Sequence, residues 1–260
     1  MENLYQKTLY LNKDLPYLFN CEIIEYDMKR AGLSLIQSKL FKLRDYVGEK
    51  KIKELEFMGK EECNKEIGVM QKNKEFAKLL LETFAEARKM FFEANDIPNN
   101  NILAIKKDAI FIINKRCEHC IFDTINFRIK NVYYGYMYLN KCEFYYKDSM
   151  SPIDVKGIDD EILQAHQDYM LDFIRDVFTL ANNQDIESIQ SHLLKFISAY
   201  RSLNLDKEYY RNLNSTSLFT YIDPESGPME VKGIDEDDID KLDISYNYFN
   251  YIIPIISIFV

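Results

Sequence analysis

The apolar residues of the chain change their spacing several times, and this change limits the folds that the chain can adopt. The segment CEIIEYDM (21–28) is a short apolar run typical of a buried strand, whereas residues 74–96 carry apolar side chains at steps of three and four, as a helix does. Residues 102–113 and 125–146 are rich in β-branched and aromatic residues, which is typical of strands. This order predicts an α+β fold in which an antiparallel sheet packs on helices.

Composition narrows the class of protein further. The chain has 260 residues, of which 47% are hydrophobic, and this is enough for one sizeable core or two small ones. It carries 42 acidic and 33 basic residues, a net charge of −9 that is unusual for a general nucleic-acid binder. The charge is uneven, however, since residues 1–130 hold 23 basic and 20 acidic side chains and residues 131–260 hold 10 and 22.

The cysteines and the sequences of the two chain termini indicate the cellular compartment of the protein. Five cysteines without an N-terminal signal pattern predict a reducing, cytoplasmic environment. The apolar C-terminal stretch 244–260 is short for a membrane span and contains Pro254, so we expect a buried terminal segment and no membrane association.

Two aspartates lie in apolar segments, where burying a charge is energetically unfavourable. Asp27 closes the apolar run 21–28, and Asp108 interrupts the β-rich segment 102–113. Two carboxylates from adjacent strands form a minimal ligand set for Mg²⁺, which takes one or two carboxylates with water and substrate phosphates. The alternative is that each aspartate lies at a turn and faces water.

Short segments around these aspartates resemble, in the same order, the palm of family B DNA polymerases. The segment DMKRAGLSLI (27–36) is similar to the first motif of that family, D-x-x-S-L-Y-P-S-I-I, at the aspartate, the serine and the final apolar pair. The segment KEECNKEIG (60–68) has the spacing of the second motif, K-x-x-x-N-S-x-Y-G. The segment AIKKDAIF (104–111) is similar to the third motif, Y-G-D-T-D-S-I-F, at its second aspartate and its apolar end.

Two later segments extend the resemblance. The segment KNVY (130–133) resembles the K-K-R-Y element that grips the primer strand, and VKGID (155–159) resembles the M-K-G-I-E that follows it. The resemblance implies a palm-like domain over residues 1–158, with shortened fingers at about 37–101. It also implies a helical, thumb-like region over residues 159–260 that carries the acidic C-terminal segment.

The resemblance assigns roles to individual residues. Asp27 and Asp108 are implied to hold two Mg²⁺ (or Mn²⁺) ions, and Lys60 is implied to face the triphosphate. The residues implied to contact the nucleotide are Gly32, Asn64, Gly68 and Lys106, and those implied to contact primed nucleic acid are Lys107, Lys130, Tyr133 and Lys156. A solvated surface explains the same basic residues, including Lys60 beside two glutamates.

Three departures from the family pattern carry consequences. Lys106 replaces the first aspartate of the third motif, and strand alternation predicts that Lys106 and Asp108 share one face, where the lysine either discourages metal binding or replaces a metal. Gly32 replaces a bulky tyrosine, which predicts weak discrimination between ribo- and deoxyribonucleotides. Only 26 residues precede Asp27, so we expect no proofreading exonuclease domain.

Sequence reasoning leaves more than one function open. The first hypothesis is a minimal, phage-like or mobile-element-like polymerase that uses nucleoside triphosphates and a primed template. The second is a palm-derived module without catalysis, a binding or regulatory subunit of a replication complex whose acidic half faces a protein partner. The third is an unrelated α+β protein.

Overall fold

The computed structural model describes residues 3–139, 141–157, 167–202, 204, 218–223, 227–232 and 252–259. Its strands pair in antiparallel fashion and its helices pack on them, which confirms the predicted α+β class. Contacts divide the chain into two compact units, one comprising residues 1–15 and 22–132 and the other residues 16–21 and 133–260.

Strands β1 (Leu9–Leu11), β2 (Tyr17–Met28), β3 (Ile102–Lys106) and β4 (Ala109–Ile113) pair in the order β1-β3-β4-β2. Strand β2 belongs to the first unit from residue 22 onward. The strand predicted at 21–28 and the strand structure predicted for 102–113 are therefore confirmed, and residues 102–113 form a hairpin of β3 and β4. Strand β5 (Ile121–Phe122) pairs with the start of β6 (Ile125–Leu139).

Five helices complete the first unit: α1 (Ala31–Gln37), α2 (Lys42–Val47), α3 (Glu49–Phe57), α4 (Lys60–Met70) and α5 (Lys74–Ala94). Helix α5 begins at Asn73, whose side chain accepts hydrogen bonds from the backbone N–H groups of Glu75 and Phe76 at 2.9 and 3.2 Å. The helices α2 to α5, which lie in the range predicted as fingers, share one hydrophobic cluster with the sheet.

Strand alternation decides which sheet positions enter that cluster. Tyr26 is the register partner of Ile110, which in turn pairs with Ile105, and all three are fully buried in the cluster. The next row, Asp27, Ala109 and Lys106, points to the opposite face because successive side chains of a strand alternate. The carboxylate of Asp27, near the end of β2, therefore lies on the face of the sheet opposite to the hydrophobic cluster.

The second unit contains the end of β6 with β7 (Cys142–Tyr146) and β8 (Asp154–Lys156), and helices α6 (Gln167–Asn182), α7 (Ile186–Arg201) and α8 (Ile253–Phe259). Strands β9 (Leu218–Asp223) and β10 (Gly227–Lys232) form a separate antiparallel hairpin. Helix α7 is capped by Asp185, since the N–H and hydroxyl of Ser188 donate to its carboxylate at 2.9 and 2.5 Å.

The predicted boundary at residue 158 differs from the observed division at residues 132 and 133. Side chains of β6 and β7 such as Met137 and Phe144 share a hydrophobic cluster with Ile174 and Phe178 of α6. Among the described residues, the sequence before 158 therefore supplies 6 of the 17 buried side chains of this cluster. Asn131 does not form a turn within the β-rich segment 125–146, because β6 runs through it without a break.

The apolar C-terminal stretch is described only from residue 252 to 259, where Ile255 of α8 is fully buried in the cluster of the second unit. No helix in the described ranges is both long and apolar enough to cross a membrane. The acidic run at 235–243 lies outside the residues that the structure describes.

His192 is expected to make the stability of the second unit sensitive to acid, for the following reasons. Its ring stacks on Phe173 at 5.1 Å, and its Nε2 atom is buried without a hydrogen-bond partner among the described residues. Burial lowers the pKa of His192 below its usual 6.5, with Asp176 opposing this shift and Lys195 adding to it. The unfolded chain then binds more protons, so stability is complete above the usual pKa and falls as the pH drops toward the lowered one.

We expect His192→Phe to flatten the loss of stability as the pH falls below about 6.5, because it keeps the stacking and removes the titrating group. Melting temperatures across this pH range measure the effect. His119→Phe, at an exposed histidine of the first unit, serves as the control. An unchanged pH profile in His192→Phe would assign the acid sensitivity to other groups.

Candidate functional site

Most of the residues that the resemblance singles out surround one cavity of about 680 Å³ in the first unit. The predicted site residues that line it are Asp27, Gly32, Lys60, Asn64, Lys107, Asp108 and Lys130. The predicted residues that are not part of its lining are Gly68, Lys106, Tyr133 and Lys156. Seven residues spread over more than a hundred positions of sequence therefore meet at one place.

The two aspartates come together because β2 and β4 are adjacent strands. Asp27 is the register partner of Ala109, the residue that follows Asp108. The N–H of Met28 donates to the carbonyl oxygen of Asp108 at 3.2 Å. The end of one strand and the turn before the next thus bring both carboxylates to the same edge of the sheet.

The turn that carries Asp108 overturns the prediction made for Lys106. Strand β3 ends at Lys106, and Lys107 has a φ of 56°, so residues 106–108 are not one strand with alternating side chains. The ammonium of Lys106 lies 5.5 Å from the ring centroid of Phe111, and Lys106 is not part of the cavity lining. The predicted placement of Lys106 and Asp108 on a common strand face is therefore wrong, and Lys107 lines the cavity instead.

The ionised form of Asp108 is disfavoured by its surroundings. Burial raises the pKa of Asp108 above its usual value, a hydrogen bond from its own backbone opposes this, and the charge of Asp27 raises the pKa further. Lys130 and Lys107 offset part of the effect. A divalent cation would relieve the repulsion between these carboxylates.

Basic side chains of β6 partly neutralise this acidic edge. Arg128 forms an ion pair with Asp27 at 3.4 Å, and Lys130 forms one with Glu25 at 3.3 Å. Burial works against the charge on Lys130, but Glu25, Asp27 and Asp108 outweigh it and raise the pKa of the ammonium. Lys130 therefore stays protonated next to the carboxylates.

The two carboxylates fit a divalent cation that keeps open positions. In the ranges that the structure describes, no three His, Cys, Asp or Glu side chains converge on one point. An ion held by Asp27 and Asp108 would thus take its other ligands from water and substrate, which is how Mg²⁺ is usually bound next to phosphates. Arg128 would compete with that ion for Asp27.

Helix α4 brings Lys60 and Asn64 to the cavity, since residues four apart lie on one face of a helix. Gly68 lies one turn further, about 6 Å along the axis, and is exposed with no atom near its Cβ direction. The structure does not bring Gly68 into the cavity, and the chemistry predicted for α4 rests on Lys60 and Asn64.

Gly32 does not leave an empty space, contrary to what its small size suggests. A Cβ atom at this position would lie 3.0 Å from Cδ1 of Ile67. Ile67 occupies the position of the tyrosine in the second polymerase motif, K-x-x-x-N-S-x-Y-G, and both Gly32 and Ile67 line the cavity. These two positions, which differ from the polymerase motifs, are therefore neighbours, and Ile67 fills part of the volume that Gly32 frees.

The cavity lining also includes three arginines to which the resemblance assigns no role in the site. Arg30, Arg88 and Arg128 line the cavity with the predicted lysines. A signal for Arg88 was present, since it falls on the apolar stripe of α5, four residues after Phe84 and three before Phe91. The described lining thus holds six basic and two acidic side chains: Arg30, Lys60, Arg88, Lys107, Arg128 and Lys130 against Asp27 and Asp108.

Tyr133 and Lys156 belong to the second unit, and neither residue is part of the cavity lining. Tyr133 is fully buried and its hydroxyl donates to Asp154 at 2.5 Å, so its ring offers no exposed face for a nucleic-acid base. The ammonium of Lys156 lies 5.3 Å from the ring centroid of Tyr145. Both residues take part in the packing of β6, β7 and β8.

Comparison with known proteins places the chain in a family without adding a reaction. No curated protein matches the chain. A family model described as "Bacteriophage PBS1 gene 130 protein" matches residues 1–260, and the chain therefore belongs to this phage protein family.

Proposed function

We propose that the cavity of the first unit transfers nucleotides from nucleoside triphosphates to a primed nucleic acid, with Mg²⁺ or Mn²⁺ held by Asp27 and Asp108. One observation carries the proposal: in a protein of net charge −9, two adjacent carboxylates share a cavity with six basic side chains. This combination suits a metal-bound polyphosphate, because the carboxylates attract the cation and the basic residues attract the anion. The order of the polymerase-like segments supports the same reaction.

Each side chain has a task in this reaction. Bound Mg²⁺ would lower the pKa of the attacking hydroxyl and stabilise charge on the phosphates. Asp27 and Asp108 would orient the ions at the edge of the sheet, and Lys60 would bind the incoming phosphates as a compact cation. Lys107 and Lys130 would contact the phosphate backbone of the primed strand.

The ion pair between Arg128 and Asp27 favours the second hypothesis, a palm-derived module without catalysis. A guanidinium that stays on Asp27 would occupy part of the metal site. The side chain of Arg128 is half exposed, however, and pairs of this kind contribute little, on the order of 1 kcal/mol or less. Metal and substrate phosphates together would displace it, and Arg128 would then bind a phosphate.

Phage origin, supported by the family, agrees with a replication role. We also propose that the acidic C-terminal half binds a protein partner. Such a partner would link the chain to a replication complex, while the mildly basic N-terminal half carries the proposed site.

A primer-extension assay tests the proposal. The purified protein, a labelled primer on DNA and on RNA templates, and all four nucleotides are incubated with Mg²⁺ or Mn²⁺. We expect extension by the wild type and none by Asp27→Asn, which keeps the size of the side chain and removes its charge. Absence of extension by the wild type on every template with both metals would refute the enzymatic proposal and leave the non-catalytic one.

The contact between Gly32 and Ile67 leads to a prediction on sugar selectivity. Neither residue offers an aromatic ring to exclude a 2′-hydroxyl, so we expect ribo- and deoxyribonucleotides to be incorporated at rates within about tenfold of each other, an energy difference of roughly 1.4 kcal/mol or less. Single-nucleotide extension with matched pairs such as dATP and ATP measures the ratio. A strong preference for deoxyribonucleotides would contradict this prediction and assign the selection to other residues.

A further inference from the structure

Arg88 is the most deeply buried charged residue that lines the cavity. Its side chain is 2% exposed, although it extends from α5 toward the edge of the sheet. The guanidinium donates from Nε to the carbonyl oxygen of Tyr5 at 2.8 Å and from Nη1 to that of Lys107 at 3.0 Å. Two of its five N–H groups are thereby assigned to backbone acceptors.

No carboxylate neutralises this guanidinium within the part of the chain that the structure describes. The two aspartates of the cavity interact with other cations, Asp27 with Arg128 and Asp108 with Lys130 and Lys107. Burial lowers the pKa of Arg88 to about 10, in keeping with a charge that has been removed from water. A charge in this position is costly unless a counter-charge joins it.

A purely structural role explains the bonds of Arg88 but not its charge. Neutral side chains with N–H groups would satisfy the same two carbonyl oxygens. An arginine adds a positive charge and further donors in a planar fork, the geometry that matches phosphate oxygens. The cavity lining holds more basic than acidic side chains, and such a lining also attracts an anion.

We infer that Arg88 is a phosphate-binding residue of the cavity, whose guanidinium takes an oxygen of the polyphosphate of a nucleoside triphosphate. Its bond to the carbonyl of Lys107 also ties it to the turn that carries Asp108. The Lys107 N–H in turn donates to the carbonyl of Thr8 at 2.8 Å, so the turn is held from two sides. Naming a nucleotide as the source of the polyphosphate rests on the proposed function, whereas the anion site itself does not.

Inorganic tripolyphosphate, with metals removed by a chelator, is the probe. Isothermal titration at constant ionic strength compares the wild type, Arg88→Met, Arg88→Lys and Lys78→Met. The control Lys78 lies on the same helix with an exposed side chain and is not part of the cavity lining. We expect Arg88→Met to weaken binding by about tenfold to a hundredfold, Arg88→Lys to weaken it less, and Lys78→Met to leave it unchanged.

A second measurement uses the unaltered protein, in case Arg88→Met does not fold. The ¹⁵N–Hε resonance of Arg88, identified by its loss in Arg88→Lys, is followed as tripolyphosphate is added. We expect it to shift in step with binding. A stationary resonance, or a folded Arg88→Met variant that binds tripolyphosphate as tightly as the wild type, would overturn the inference.

These outcomes are separate from those of primer extension, because the titration needs neither metal nor catalysis. Loss of tripolyphosphate binding in Arg88→Met with no extension by the wild type would uphold the anion site and refute the polymerase proposal. Extension by the wild type with unaltered anion binding in Arg88→Met would uphold the polymerase proposal and refute the role of Arg88 in binding phosphate.

Discussion

Asp108→Asn is expected to abolish nucleotide incorporation and, at the same time, to raise the melting temperature of the protein. The first effect follows because an amide cannot replace a carboxylate as a ligand of a divalent cation. The second follows because the substitution removes a buried charge that Asp27 repels, while the amide oxygen can still accept the hydrogen bond from its own backbone. A gain of about 1 kcal/mol would raise the melting temperature by roughly 2–4 °C in a chain of this size.

The sign of the pH dependence provides a check on this prediction. The pKa of Asp108 is raised in the folded protein, so the folded state holds the proton to a higher pH than the unfolded chain does. The stability that this group contributes is complete below its usual pKa and is lost as the pH rises through the raised one. Asp108→Asn should remove this slope, and the gain in melting temperature should be largest above the raised pKa.

Asp148→Asn is the control for stability. The pKa of Asp148 is lowered, first by the hydroxyl of Ser151 and then by backbone N–H groups that donate to the carboxylate. Its removal is not expected to raise the melting temperature. If Asp108→Asn lowered the melting temperature and kept full activity, Asp108 would be a structural residue and the proposed metal site would be lost.

Gly135→Ala is expected to destabilise the second unit by roughly 2–3 kcal/mol, the upper part of the range for overpacked cores. A Cβ atom at this position would lie 2.6 and 2.8 Å from two ring carbons of Phe178. The ring is fully buried and stacks against Tyr146 at a centroid distance of 5.3 Å, so it has little room to retreat. Thermal or denaturant unfolding measures the loss.

Gly68→Ala is the matched control, because nothing lies within 4 Å of the added methyl group. Gly68 is an exposed residue inside α4, where alanine stabilises a helix by about 0.5–1 kcal/mol relative to glycine. We therefore expect opposite signs for the two glycine variants. Equal stability of Gly135→Ala and the wild type would show that β6 and α6 are not packed as described.

Local patterns in the sequence were sufficient to predict most of the elements. The apolar run before Asp27, the helical spacing of 74–96 and the β-rich hairpin at 102–113 all correspond to elements of the structure. Each is determined by residues close together in sequence, through side-chain period and capping. The observed division at residues 132 and 133 was not predictable in this way, because the second core joins strands and helices far apart in the chain.

Only part of the cavity lining was predictable from the sequence. Asp27 and Asp108 lie at the same edge of the sheet because Asp27 ends one strand and Asp108 precedes the adjacent strand, as their places in two strand-like segments predict. Lys106 was misplaced because the positive φ of Lys107 interrupts the alternation on which the prediction relied. Arg88 was overlooked because a single arginine on an apolar stripe also occurs where a long side chain reaches solvent at the edge of a core.

Binding of Mn²⁺ tests the central claim, that Asp27 and Asp108 form a divalent metal site despite the nearby Arg128 and Lys130. Electron paramagnetic resonance of free Mn²⁺, with a nucleoside triphosphate absent and then present, compares the wild type with the variant that carries both Asp27→Asn and Asp108→Asn. We predict saturable binding to the wild type that the double variant loses. Identical titration curves for the two proteins would contradict the claim and with it the proposed nucleotidyl transfer.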